Sequence, residues 1–363
     1  MDNRRRNNSL YVVAAVIVAN LAVSLASAEG AERPLAKSII DMHVHTAGIG
    51  RHGSGCYISP VLADSYKFRW YLGAFGVSRE ELERDGDAIV IERISARIAE
   101  SGVIDKAVIL AMDGIVDARG ELDRSRTQVY VPNDFIARET GRFPNLLFGA
   151  SINPYRPDAI ERLRAAKSAG AVLVKWIPAI MGIDPADPAI TPFYKVAADL
   201  DIPLLIHVGQ ERSFHDAQDE FGDPVRLTLP LELGVTVIAA HIATTGENDG
   251  EANYERLLPM FEHYPNLYTD ISSLTQINKL GYLNDAVTRP DLTARMVYGS
   301  DWPLQFFPLV SPWYQLGRVP WAQLRDVSAI EHQWDRDVAL KRAIGVPPEV
   351  FERGRKLLGI DPD

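Results

Sequence analysis

The chain of 363 residues has a single cysteine, Cys56, so no internal disulfide can form. No base stands near it in the sequence, and it reads as a small semi-buried hydrophobe rather than a nucleophile. No run of five or six basic residues occurs, and the formal net charge is −10. An electrostatic footprint for nucleic acid is therefore missing. A Gly-rich phosphate loop is missing too. The first apolar run is followed by "TAGIGRHGSGCYIS", which has glycines but no helix opening directly behind them. That argues against a doubly wound dinucleotide-binding fold.

What is present is ordinary globular material. Hydrophobic residues make up 47% and charged residues 24%, enough apolar content for a large core. The N-terminus differs from the rest. Arg4, Arg5 and Arg6 precede the uncharged stretch "LYVVAAVIVANLAVSLASA", which ends in Ala26-Ser27-Ala28. A basic start, an apolar middle and a small-x-small end predict a signal peptide over residues 1–28, cleaved after Ala28. Uncleaved, the same stretch is an N-terminal membrane anchor near the lower length limit. Either way the following chain is expected to be exported, as a periplasmic or secreted protein or one anchored at the membrane. Residues 29–37 read as a polar lead-in, and one main domain is expected over 38–363.

From residue 38 onward, short apolar runs alternate with amphipathic stretches. The runs are "SIIDMHVH", "KAVILAM", "LLFGASI", "AVLVKWI", "PLLIHVG", "VTVIAAH", "NLYTDIS" and "ARMVYGSD". Little charge alternates within them, as in strands buried on both faces of a parallel sheet. Helical patterns lie between, such as "PDAIERLRAAKSAG" with Gly170 as a stop and "NYERLLPMFEHYP" with Pro265 beyond its end. Eight βα units predict a (β/α)8 TIM barrel. The connection after the first strand, residues 46–78, is long and lacks clean periodicity. It predicts an insertion at the C-terminal mouth of the barrel.

The chemistry-bearing residues fall on that mouth. His43 and His45 are two apart, so in a strand they share a face. His207, His241 and Asp301 end later runs. His207 to His241 is 34 residues, about one βα unit, and His241 to Asp301 is 60, about two. Lys175 precedes His207 by 32, again one unit. Imidazoles and a carboxylate on one rim suit zinc, iron or manganese with open positions for water. A lysine at the mouth bridges two metals once carboxylated, holds an anionic substrate, or pairs with an acid. The second role is preferred for Lys175. Other mouth candidates are Arg51 and His52 after the first strand and Glu211, Arg212 and His215 after the fifth. Trp302, Gln305, Phe306 and Phe307 follow the eighth. Among them Arg51, Arg212 and Trp302 join Lys175 as candidate substrate-binding residues, the cations for a carboxylate and the aromatic for a ring.

The set "DMHVH", "LLIHVG", "VIAAHIA" and "YGSDWP" resembles the amidohydrolase superfamily, in particular its amidohydrolase-related family of metal-dependent TIM-barrel hydrolases and decarboxylases. The ending "VALKRAIGVPPEVFERGRKLLGI" resembles that family's C-terminal helices. The resemblance implies His43, His45, His207 and Asp301 as metal ligands, and His241 as the residue that activates water or polarises the substrate. It implies Asp301 also as proton shuttle. One divalent ion is expected rather than two: zinc, with manganese or iron as alternatives. The expected reaction is hydrolysis of a small organic amide, ester or lactone. The alternative is decarboxylation of an aromatic or unsaturated acid. A small-molecule substrate is the expected partner, and a homo-oligomer is compatible with everything above.

Overall fold

The computed structural model describes residues 38–360. The expected signal peptide or anchor at 1–28 and the lead-in at 29–37 lie outside the described residues. Among the described residues no helix is long and apolar enough to cross a membrane.

Eight strands form one parallel sheet: β1 (Ile39–His45), β2 (Ile104–Leu110), β3 (Leu146–Ala150), β4 (Ala171–Trp176), β5 (Leu204–His207), β6 (Val237–Ala240), β7 (Leu267–Asp270) and β8 (Met296–Val297). Each corresponds to one of the eight apolar runs, and neighbours pair in chain order. The two edges of the sheet then meet. The Met42 N–H donates to the Tyr298 carbonyl at 3.3 Å, the Asp301 N–H to the His43 carbonyl at 3.0 Å, and the His45 N–H to the Trp302 carbonyl at 3.0 Å. These bonds join the two edge strands and close the (β/α)8 barrel.

Residues from six strands, Ile40, Val108, Leu173, Leu205, Ile238 and Val297, form one buried cluster, with Leu147 and Tyr268 packed against it from the other two. The barrel interior is thus filled rather than hollow. Lys175 and His207 each follow a member of this cluster by two residues and share its face. The site therefore stands directly on the core.

The helices follow their apolar spacing. In Ala88–Glu100 the buried residues Val90, Ile91, Ile94 and Ile98 make one stripe. Helix Ala159–Ser168 ends as expected, with Gly170 in the left-handed region at φ 90°. The second expected helix is broken. Asn253–Leu257 and Met260–His263 are separate short helices on either side of Leu258 and Pro259. Proline lacks the N–H that the ladder needs and crowds the carbonyl four residues back.

Residues 46–103 connect β1 to β2 and are not irregular throughout. They hold helices Pro60–Ala63, Tyr66–Phe75 and Arg79–Asp85 before Ala88–Glu100. Their glycine-rich start is gathered by one carboxylate. Asp87 accepts from the N–H groups of Ile49 (2.9 Å), Gly50 (2.9 Å) and Arg51 (3.2 Å) and from the Ser54 hydroxyl. At the other end of the chain, Gln333–Ile344 packs on Trp321–Ser328, and Pro348–Leu357 packs on β1 and β8.

Candidate metal centre

His43 and His45 end β1 and turn their rings toward each other, with centroids 4.9 Å apart. Their Nε2 atoms are 3.1 Å apart. Asp301 Oδ1 lies 3.6 Å from His43 Nε2 and 3.4 Å from His45 Nε2. The three donor atoms form a nearly equilateral triangle. His241 adds a ring nitrogen to the group formed with His43 and Asp301, all within 4.8 Å of one another.

The backbone is bent to achieve this. Asp301 sits at φ 63°, and His241, Ile242 and Ala243 at 59°, 49° and 51°. Non-glycine residues avoid this region, and a β-branched one most of all. Asp41 helps hold β1 and β8 in place. It accepts from the N–H groups of His43 (3.1 Å) and Ser300 (2.9 Å) and from Trp334 Nε1 (2.7 Å). Gly299 permits the close approach: a Cβ there would lie 3.0 Å from that of His43.

Asp270, the last residue of β7, sets the histidines' tautomers. Its Oδ2 lies 2.7 Å from His43 Nδ1, so that nitrogen carries the proton and Nε2 keeps a lone pair. Oδ1 accepts from the N–H groups of His241 (2.9 Å) and Ser272 (3.1 Å) and from the Ser272 hydroxyl at 2.5 Å. The Ser273 hydroxyl donates to Asp301 Oδ2 at 2.9 Å. Both hydroxyl protons are thus committed to carboxylates. His241 Nδ1, 3.1 Å from the Ser272 carbonyl, must then be the donor, which leaves Nε2 unprotonated.

Burial dominates the electrostatics. It lowers the pKa of His43 to about 4, with the Lys175 cation adding to the effect. His207 and His241 are lowered by the same cause. All three are neutral near pH 7, the state in which imidazole binds a metal. Burial pushes the carboxyls of Asp270 and Asp301 up, but the histidines and donors around them outweigh it and hold both below the ordinary range. Lys175 Nζ lies 3.0 Å from His43 Nε2, the atom whose lone pair a bound ion would take in place of the lysine, and burial lowers its pKa to about 8. Burial also lowers Lys279, whose Nζ donates to Ser273 Oγ at 3.0 Å.

These residues fit a divalent ion. Ligand atoms about 2.0–2.1 Å from a tetrahedral zinc lie roughly 3.3 Å apart, which matches the triangle edges of 3.1, 3.4 and 3.6 Å. His207 Nε2 is buried without a hydrogen-bond partner and lies 3.5 Å from Glu211 Oε2. Buried polar atoms seldom stay unpartnered. His207 stands beside His241, ring centroids 5.1 Å apart, rather than in the triangle.

A cavity of about 180 Å³ opens beside these groups, lined by His45, His207, His241 and Asp301. The connection after β1 supplies an apolar wall of Leu62, Phe68, Tyr71 and Phe75. Of the four candidate substrate residues, only Arg212 lines this cavity, from an exposed position. Lys175 is buried and directed at His43 instead. Arg51 is exposed and away from the cavity, because Asp87 holds its backbone in the glycine-rich turn. Trp302 is fully buried and stacks on Trp334, centroids 4.0 Å apart, with Arg97 over its ring. The turn at Asp301 sends it away from the cavity.

The sequence motifs leave out several contributors, Asp270, Ser273 and Lys279 among them. Asp270 was legible: it ends its run 29 residues after His241 and 31 before Asp301, one βα unit each way. Ser273 and Lys279 lie in turns, where no periodicity marks them.

No curated protein matches the sequence significantly. Among solved structures, an uncharacterized TIM-barrel protein of Bordetella bronchiseptica is similar at 15% identity, over 88% of this chain and 99% of its own, with a TM-score of 0.57. A candidate 2-pyrone-4,6-dicarboxylic acid hydrolase of Pseudomonas putida is similar at 15% identity, over 90% and 99%, with a TM-score of 0.51. These likenesses establish the barrel. The amidohydrolase family profile matches residues 40–319, most of the described barrel. The chain belongs to the amidohydrolase family of metal-dependent enzymes.

Proposed function

We propose that the protein hydrolyses a small organic amide, ester or lactone with the help of one divalent ion, zinc. The triangle of His43 Nε2, His45 Nε2 and Asp301 Oδ1 carries this reading, because its edges suit one tetrahedral ion. His43, His45 and Asp301 would hold the ion and leave its remaining position to water or substrate; His207, whose Nε2 is unpartnered, would join them as a further ligand only where the ion expands to five-coordinate. When bound, the ion supplies Lewis acidity, which makes water a stronger acid near neutral pH and polarises a carbonyl.

The chain's own groups handle protons and position. His241 lines the cavity with an unprotonated Nε2, placed to take the proton of the attacking water. This favours water activation over the alternative role of polarising the substrate, which needs a donor at that atom. Asp301, its Oδ2 fixed by Ser273, carries the proton on to the leaving group. The apolar wall from the β1–β2 connection holds the substrate's body and limits water.

Decarboxylation of an aromatic or unsaturated acid is the second reading. The cations Lys279 and Arg212 in the cavity lining favour it, since they suit an acidic substrate. The test is a screen of metal-loaded protein against lactones, esters, amides and aromatic acids, with a chelated control. Chelator-sensitive hydrolysis is expected. Chelator-sensitive release of carbon dioxide supports the second reading. A protein that takes up no metal and turns over none of these classes overturns both.

A further inference from the structure

We infer that Lys279 anchors a carboxylate of the substrate, so that the cavity selects small organic acids. This rests on the cavity being the reaction site proposed above.

Three lysines are buried in the structure, and their partners differ. Lys341 Nζ donates to Asp337 Oδ2 at 2.7 Å and to the Gly299 carbonyl at 3.0 Å. Lys175 Nζ meets His43 Nε2 beneath the cavity. Lys279 lines the cavity itself, is 6% exposed, and has one partner, the Ser273 hydroxyl at 3.0 Å. An ammonium group has three protons to donate. Lys279 makes no ion pair among the described residues. A buried cation left this short of partners is costly unless something else brings the counter-charge.

The carboxylates of Asp301, Asp270 and Glu211 favour its charge from nearby, but none pairs with it directly among the described residues. Asp301 is engaged by Ser273, and Asp270 by His43, His241 and Ser272. Glu211 also lines the cavity, but its Oε1 accepts from the Ser213 N–H at 2.6 Å and its Oε2 faces His207 at 3.5 Å. The lysine is not a drifting surface group either. It closes the short turn Ile277–Lys279, whose Ile277 N–H donates to the Leu309 carbonyl at 2.9 Å and whose Lys279 N–H donates to the Gln276 carbonyl at 2.9 Å.

The rest of the cavity defines the remainder of the ligand. Phe68, Tyr71 and Phe75 offer a wall for a flat apolar body. At about 180 Å³ the space is below the usual range for drug-sized ligands, which restricts it to small molecules. Arg212 at the exposed rim draws anions inward, while Lys279 meets them where water is scarce.

The test is calorimetric titration of metal-loaded wild type and Lys279→Met with benzoate and isophthalate. Each probe has one carboxylate for the ion, and isophthalate has a second for the lysine. Wild type is expected to prefer isophthalate, and Lys279→Met to lose that preference by about tenfold to a hundredfold, the strength of a charge-assisted hydrogen bond. Metal content is expected to be equal in the two proteins, and the Tm of Lys279→Met to rise, because a lone buried cation is removed. Equal preference in both proteins, no preference in wild type, or a fall in Tm with unchanged probe affinity overturns the inference. Repeating the titration in chelated protein separates the two readings. A lysine-dependent preference in a wild type that takes up no metal sinks the proposed hydrolysis and leaves the anchor standing.

Discussion

His43 Nδ1 lies 2.7 Å from Asp270 Oδ2, and both side chains are completely buried. A carboxylate behind a ring nitrogen fixes the tautomer, aims the other nitrogen and makes it a better ligand. The pair joins the first strand of the barrel to the seventh, 227 residues later.

Asp270→Asn is therefore expected to weaken metal affinity about tenfold to a hundredfold while the barrel stays folded. Competition with a chelating dye reads the affinity, and circular dichroism reads the fold. Wild-type affinity in this variant would show that Asp270 does not orient the ligand.

Gly299→Ala tests the close approach of β8 to β1. The added methyl would meet His43 Cβ at 3.0 Å and Asp270 Oδ2 and Ser272 Cβ at 3.3 Å. Overpacking of this kind costs about 1–3 kcal/mol. Lower urea stability and weaker metal binding are expected together. A variant as stable as wild type with unchanged metal affinity would mean that the strands separate freely.

Lys341→Met is expected to destabilise, the opposite sign to Lys279→Met. Lys341 and Asp337 are a buried pair that also holds the Gly299 carbonyl, two residues before Asp301. Removing one partner of such a pair costs about 3–5 kcal/mol. Urea unfolding measures it, and unchanged stability would refute the structural role.

Cys56 is expected to resist iodoacetamide at pH 8 in the folded protein and to react after unfolding in urea. Burial pushes its thiol up to about 12, with the Asp87 carboxylate adding to the effect, so thiolate is scarce. Stoichiometric alkylation of native protein, read by mass spectrometry, would contradict this.

The barrel could be read from the sequence because parallel strands are buried on both faces. Runs such as "VIAA" and "LLIH" then stand out as uninterrupted apolar segments. The two-residue spacing of His43 and His45 and the βα-unit spacing of the later residues located the rim for the same reason. Contacts between distant turns were hidden. Nothing near Arg51 in sequence announces that Asp87 will hold its backbone. Trp302 follows Asp301, and only the left-handed turn at Asp301 reveals that the indole goes back to Trp334. Pro259 stands inside an apolar spacing that by itself predicts one helix, and the ladder breaks there for want of an N–H.

Anomalous diffraction at the zinc edge, on crystals of the metal-loaded protein, tests the central claim most directly. The expected result is one strong peak within about 2.0–2.1 Å of His43 Nε2, His45 Nε2 and Asp301 Oδ1. A map with no peak there, from protein given zinc or manganese, would contradict the metal centre and the hydrolysis built on it.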